Sequence, residues 1–345
     1  MNSSDSKKKS VLVTGGAGFI GAHMALHLLK KNLNVVVLDD LSGGFKENVP
    51  QGAEFIQGSI LDRDLLKKLF EQHRFDYVYH LAAYAAEGLS PFIRHFNYQN
   101  NLIGSINLIN LSIEYDVERF VFSSSIAVYG EGQLPMRESL KPHPEDPYGV
   151  SKYAVELDLE CARRTHGLRY TIFRPHNVYG EFQNIGDRYR NVIGIFMNRI
   201  MQAETLSIFG DGCQTRAFSY ITDVAVPMVD CLENPKTIGE VFNVGADQAY
   251  SVNDLAKTVI AAMAPEFKAA PIQYLEARKE VLHAYSTHEK VHQFFPHLSK
   301  AVTLEDGIRK MAAWAKKSGL RKTDLFMGVE LYKGMPDSWQ KEFSR

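Results

Sequence analysis

The sequence predicts an α/β fold: a doubly wound parallel sheet with a smaller, interleaved C-terminal α/β portion. Short β-branched runs alternate with helical periods over residues 10–130. The runs Val11-Leu12-Val13 and Val35-Val36-Val37-Leu38 are apolar at every position instead of every second one. A strand-like run re-emerges at 241–244, after a stretch of mixed composition. Alternating strands and helices give βαβ units, and strands covered by helices on both faces have no polar side to show.

Taken in order, strands are predicted at 10–14, 35–39, 77–81 and 119–123, with helices at 18–31, 61–72 and 104–115 between them. Pro135, Pro142, Pro144 and Pro147 mark an irregular surface excursion, after which a helix resumes over 148–165. A strand follows at 169–173. A helix at 192–202 sits within a Gly-, polar- and aromatic-rich stretch at 180–220, and strand 241–244 precedes a helix at 251–264. The first part is therefore expected over 10–180, with 217–250 returning to it, and the second over 181–216 and 251–320. Residues 1–9 and 321–345 read as tails without legible chemistry.

Composition narrows the class. The chain has 345 residues, 45% hydrophobic and 23% charged, which suits a soluble globular protein with a sizeable core. Lys+Arg 39 against Asp+Glu 40 leaves a formal charge of -1, so no global basic field invites nucleic acid or an anionic membrane. Any anionic ligand must be held locally. Cys161, Cys213 and Cys231 are scattered without metal-binding spacing, which predicts reduced thiols and no metal site. The polar start, with Lys7-Lys8-Lys9, has no apolar h-region, and no later run reaches membrane-spanning length, so a cytoplasmic location is expected.

Chemistry begins at Val11-Leu12-Val13-Thr14-Gly15-Gly16-Ala17-Gly18-Phe19-Ile20-Gly21, a strand, a glycine turn and a helix start. Gly15 permits the tight turn, Gly18 lets backbone approach a pyrophosphate, and Gly21 lets helix pack closely on strand. A dinucleotide site follows. The second strand ends in Asp39-Asp40, where a carboxylate can accept both adenosine ribose hydroxyls and would repel a 2′-phosphate; NAD is favoured over NADP.

Tyr148 and Lys152, four residues apart, share a helix face. A free phenol with pKa ~10 is a poor base at neutral pH. An ammonium ~4 Å away, at an effective dielectric of ~20, contributes on the order of 4 kcal/mol, enough to lower a phenol by roughly three units. Taken alone the spacing also recurs by chance on amphipathic helices.

The wider set of motifs settles the comparison: Thr14-Gly-Gly-Ala-Gly-Phe-Ile-Gly21, His80-Leu-Ala-Ala83, Asn100-Asn101, Ser123-Ser-Ser-Ile-Ala-Val-Tyr-Gly130, Pro147-Tyr-Gly-Val-Ser-Lys152, Arg174-Pro-His-Asn-Val-Tyr-Gly180 and Gly210-Asp-Gly-Cys-Gln-Thr-Arg216. From about residue 10 to about 300 the chain resembles the extended short-chain dehydrogenases/reductases, in their NAD-dependent nucleotide-sugar epimerase/dehydratase branch. Within it, the chain is most similar to the UDP-glucose/UDP-galactose 4-epimerases.

The resemblance implies a Rossmann sheet, NAD as cofactor, a UDP-sugar substrate and a homodimer formed through helices at about 92–116 and 149–166. It implies Ser125, Tyr148 and Lys152 as the catalytic triad, with Ser123 on the nicotinamide side. Cofactor contacts carry over to Phe19, Ile20, Ile60, Leu81, Ala82, Ala83 and Asn100. Substrate contacts carry over to Asn177, Asn191, Arg216, Arg278 and Tyr285, the last as a wall at the sugar's 2-position that leaves little room for an N-acetyl group. Ser59 replaces the Asp of many relatives at the adenine, which removes a charge-assisted contact. Ala85 stands where several galactose epimerases carry a lysine, and His176 where an aromatic residue is commoner.

The expected activity is 4-epimerisation of a UDP-hexose. A UDP-glucuronate 4-epimerase, a 4,6-dehydratase or decarboxylase sharing the first oxidation, and a non-catalytic NAD binder are the alternatives. Dehydratases carry an Asp-Glu pair directly after the catalytic Ser or Thr, whereas this chain has Ile126-Ala127.

Overall fold

The computed structural model describes residues 8–187, 189, 191–268, 270–277, 283–298, 300–321, 326–336 and 339–340. At its centre is a parallel seven-stranded sheet in the order Val241–Val244, Tyr170–Pro175, Arg119–Ser123, Tyr77–His80, Ser10–Thr14, Asn34–Asp39 and Glu54–Gln57. Side chains alternate between two buried faces. Val11, Val13, Val35 and Val37 enter one apolar cluster, while Leu12, Val36 and Leu38 enter the other. That is the physical origin of the continuous apolar runs.

The Glu54–Gln57 edge strand has no counterpart in the sequence prediction. It is four residues long, Glu-Phe-Ile-Gln, with exposed ends and a half-buried middle, so it lacks the apolar signature of the covered strands. Helix begins earlier than expected before Gly104: an α-helical turn at Arg94–Tyr98 runs through a π-helical turn at Gln99–Ile103 into the Gly104–Glu114 helix. The run Arg-His-Phe-Asn-Tyr-Gln-Asn-Asn is poor in strong helix formers and has no apolar period. Single π turns of this kind cluster at functional sites.

The strand Val241–Val244 extends the sheet beside Tyr170–Pro175. Beyond the sheet, the Val192–Met201 and Val252–Met263 helices pack with a parallel pair, Leu206–Phe209 with Ile272–Leu275. The Thr215–Ala217 strand lies between Ala249–Ser251 and His283–Ala284. A last helix, Leu304–Ser318, starts at Thr303, whose hydroxyl accepts from Asp306 N. Thr14, Asp39, His80 and Ser123 all end parallel strands on the same edge of the sheet, and open α/β sheets bind ligands beyond that edge.

Candidate active site

A cavity of about 1320 Å³ opens along this edge. Gly15, Gly18, Phe19, Ile20 and Gly21 line it from the first turn, and Asp39, Asp40, Ser59 and Ile60 from the next two crossovers. Gly15 has φ +69, and a Cβ there would lie 2.8 Å from the Ala82 backbone; one at Gly21 would lie 2.1 Å from the Gly15 carbonyl oxygen. Both positions exclude a side chain, whereas a Cβ at Gly18 meets only the Gly15 carbonyl, at 3.1 Å. The turn thus presents bare backbone at a helix N-terminus, and its shape fits a pyrophosphate.

Asp39 has two roles. Its Oδ2 accepts Ala17 N at 3.0 Å and its Oδ1 accepts Leu41 N at 2.8 Å, so the carboxylate ties the glycine turn to the second strand. Burial pushes its pKa up while those N–H groups pull it down, the former prevailing. Each oxygen keeps a lone pair for a ribose hydroxyl. Ser59 Oγ accepts Leu61 N at 3.2 Å, which shapes the adenine-side turn.

His80 organises the turn after the Tyr77–His80 strand. Ser105 spends its proton on the Asn101 carbonyl, so His80 Nε2–H donates to Ser105 Oγ at 2.8 Å and Nδ1 accepts from Thr14 Oγ1 at 2.8 Å. Thr14 Oγ1 in turn accepts from Leu81 N and Ala82 N, both at 3.3 Å. Burial, and secondarily the charge of Lys152, lowers the His80 pKa to about 3, so the imidazole is a neutral brace. Leu81, Ala82 and Ala83 are thereby held on the cavity wall directly beside the glycine turn, and Asn100 lines it from the π turn.

The Pro147–His166 helix brings the reactive groups together. Pro147 occupies its first turn and Asp146 caps it, accepting Gly149 N at 3.0 Å. A Cβ on Gly149 would stand 2.6 Å from the Ala127 carbonyl oxygen, so the helix start rests directly on the turn that follows Ser125. Ser125 Oγ accepts Ala127 N at 3.1 Å, which leaves its own proton to donate into the cavity. Tyr148 is held from behind: its N–H donates to Ser90 Oγ at 3.2 Å, and its carbonyl accepts from Ser151 Oγ at 2.7 Å. Ser123, Ser125, Tyr148 and Lys152 all line the cavity.

Lys152 Nζ donates to the Ser123 carbonyl at 2.8 Å and lies 4.9 Å from the Phe122 ring centre and 5.8 Å from that of Tyr148. Burial lowers its pKa to about 7, with Glu156 opposing the shift. The sequence places an ammonium beside the phenol, and desolvation makes that ammonium a titrating group. Glu156 itself accepts from Ser124 and receives Arg174 through Nε at 2.9 Å and through Nη2, a buried fork-on-carboxylate pair.

Asn177, another lining residue, with φ 39, donates to the Ala217 carbonyl at 3.1 Å. Asn191 caps the Val192–Met201 helix through Ile193 N at 2.9 Å, and its amide donates to Val178 O at 2.6 Å. Its contribution is therefore to aim the positive end of that helix, whose first residues line the cavity. Arg216 lines the same wall. Arg278 lies outside the described residues.

Tyr285 is not among the described residues that line the cavity. Its carbonyl accepts Met136 N at 3.0 Å, and the bridge of Met136 with Ser286 fastens this backbone against the loop around Met136. His176 packs away from the cavity as well. Its Nε2 is 3.2 Å from His288 Nε2, whose Nδ1 is 2.6 Å from Asp247, and burial lowers the His176 pKa to about 3. Lining residues without a sequence signal include Tyr84, Glu87, Asp187, Tyr189, Arg321 and Trp339. The last two belong to a stretch that reads as a chemically silent tail; its apolar residues follow no helical or strand period.

Residues 11–245 match the model of the NAD dependent epimerase/dehydratase family. The chain belongs to that family. It is 35% identical over 318 residues to a putative UDP-glucose 4-epimerase of Methanocaldococcus jannaschii, covering 89% of this chain and 99% of that protein. It is 36% identical over 267 residues to the dTDP-D-glucose 4,6-dehydratase of Bos taurus, covering 74% and 73%. The crystal structure of the Thermotoga maritima UDP-glucose 4-epimerase with UDP-glucose superposes with a TM-score of 0.83 at 36% identity, covering 90% of this chain and 99% of that one. Among the described residues no helix is long and apolar enough to cross a membrane, and no group of three or more His, Cys, Asp or Glu could hold a metal.

Proposed function

We propose that this family member is an NAD-dependent UDP-hexose 4-epimerase that interconverts UDP-glucose and UDP-galactose through a transient 4-keto sugar. The supporting observation is the convergence of Ser125, Tyr148 and Lys152 on one cavity with the glycine turn and Asp39, while Ile126-Ala127 supplies no acid or base for eliminating water. NAD, when bound, supplies the acceptor that takes and returns the C4 hydrogen as hydride. Ser125 hydrogen-bonds the 4-hydroxyl, Tyr148 removes its proton, and Lys152 biases Tyr148 toward phenolate and holds the nicotinamide ribose. The same phenol returns the proton after the keto sugar turns its other face. Arg216, Arg278, Asn177 and the helix start at Asn191 retain the diphosphate during that turn.

In this reading residues 10–180 with 217–250 carry NAD, and 181–216 with 251–320 carry the nucleotide sugar. UDP-glucose incubated with the protein and NAD is expected to give UDP-galactose by sugar chromatography. A 4-keto-6-deoxy product would replace this reading with dehydration, turnover of UDP-glucuronate alone would move the substrate, and no conversion of any nucleotide sugar would favour a binder.

The protein is further proposed to be a cytoplasmic homodimer. Cys161, Cys213 and Cys231 are free thiols, which suits a reducing compartment. Ile103, Val150 and Leu157, at 45%, 38% and 47% exposure, leave apolar side chains open on the two helices implied as the dimer face. Light scattering should return twice the chain mass of 38.9 kDa; a single chain mass overturns the dimer.

A further inference from the structure

The segment over 326–336 and 339–340 lies across the loop at 84–97, which follows the Tyr77–His80 strand and packs on the start of the Tyr148 helix. Glu330 accepts His95 N and Phe96 N at 2.8 Å each, capping the start of the Arg94–Tyr98 turn, while Glu330 N donates to Phe92 O at 2.8 Å. Phe326 packs on Phe96 and Tyr84 with ring centres 4.8 and 5.0 Å apart, and Met335 is buried with Ala86, Leu89 and Ile93. That loop also holds the catalytic helix, through Ser90 to Tyr148 N and through Asn97 Nδ2 to Pro147 O at 2.9 Å.

The strap ends at Trp339, which lines the cavity. Its ring meets Tyr189 edge to face at 5.2 Å and 85°, and its edge would lie 3.6 Å from a Cβ at Gly88. Tyr84, Glu87, Gly88 and Tyr189 line the cavity with it, and Ala82, Ala83 and Tyr148 are lining residues too. Phe209, Gln214 and Leu275, which neighbour one another, and Arg216 line it as well.

Resting on the proposed epimerase reading, we propose that Trp339 is a specificity-determining wall of the sugar subsite. It offers a rigid aromatic face to the hexose and keeps the 4-keto sugar from leaving before the hydride returns. The balance defines a readout. Hydride leaves C4 for the nicotinamide and the hydroxyl proton goes to Tyr148, so each keto sugar that escapes leaves one cofactor reduced and one proton on the enzyme.

The chain has two tryptophans, Trp314 and Trp339, and W314F makes Trp339 the sole indole emitter. UDP-glucose is expected to change its emission, and UDP alone is not. Trp339→Ala should lower kcat/KM for UDP-glucose ~10-fold or more, as truncating an aromatic anchor does, and should accumulate reduced cofactor during turnover. Trp339→Phe should restore most of both, a recovery that a fold defect would not show. Emission that responds equally to UDP, or stays silent while calorimetry records UDP-glucose binding, overturns the proposal alone. So does a Trp339→Ala enzyme that turns over normally with oxidised cofactor. A wild-type protein that binds no UDP-sugar overturns the functional reading and this one with it.

Discussion

Tyr148→Phe is expected to lower kcat by roughly 10²–10⁴-fold while UDP-sugar affinity stays within about twofold, the range that loss of a positioned proton-transfer group commands. The substitution removes one oxygen and keeps the ring. The backbone that fixes the ring is unchanged, because Tyr148 N still donates to Ser90 and its carbonyl still accepts from Ser151. Without the phenol the 4-hydroxyl has no proton acceptor at hydride transfer, so nicotinamide reduction in a single turnover should slow as much as kcat does. Stopped-flow absorbance of the reduced cofactor, paired with calorimetric titration of UDP-glucose, separates the two quantities. Retained turnover would mean that another group takes the proton; lost binding would mean that the ring, not its hydroxyl, is what matters.

Both the sheet and the reacting groups could be read from the chain, for a shared reason. A covered parallel strand must be apolar at every position, a phosphate turn must omit side chains, and a base and its tuner on one helix must be four apart. Each requirement leaves a local mark at Val11–Val13, at Gly15, Gly18 and Gly21, and at Tyr148 and Lys152. What escaped depends on contacts distant in sequence. Glu54–Gln57 is a strand only because Asn34–Asp39 offers it an edge. The backbone at Tyr285 is fastened to Met136, almost 150 positions earlier. Trp339 reaches the cavity because Glu330, Phe326 and Met335 find partners on residues 84–96, and no period within the tail encodes that. The titration of Lys152 escapes the sequence likewise, since spacing reports proximity to Tyr148 and is blind to burial.

That burial predicts a second large effect, in stability. Lys152 falls from 10.5 to about 7 in the folded chain, and at 1.36 kcal/mol per unit its charged form costs about 5 kcal/mol. The unfolded chain keeps this proton up to about 10.5 and the folded one releases it near 7, so between those values the unfolded state binds more protons and stability rises with pH. The cost is therefore fully present below about 7 and relieved toward 10.5. Lys152→Met should stabilise the protein by roughly 2–4 kcal/mol at about pH 6, the full figure less ~1–3 for stranding the Ser123 carbonyl, and the gain should vanish near pH 10. Urea unfolding midpoints at the two pH values measure it. An equal difference at both, or a less stable Met variant at the lower pH, would sink the assignment. Activity should fall in the same variant. Glu156, the carboxylate that favours the ammonium, is already spent on Arg174 and Ser124, so the charge of Lys152 is left largely uncompensated from behind and directed at Tyr148 and the cavity. A fold that discharged it would be firmer and could not acidify the phenol.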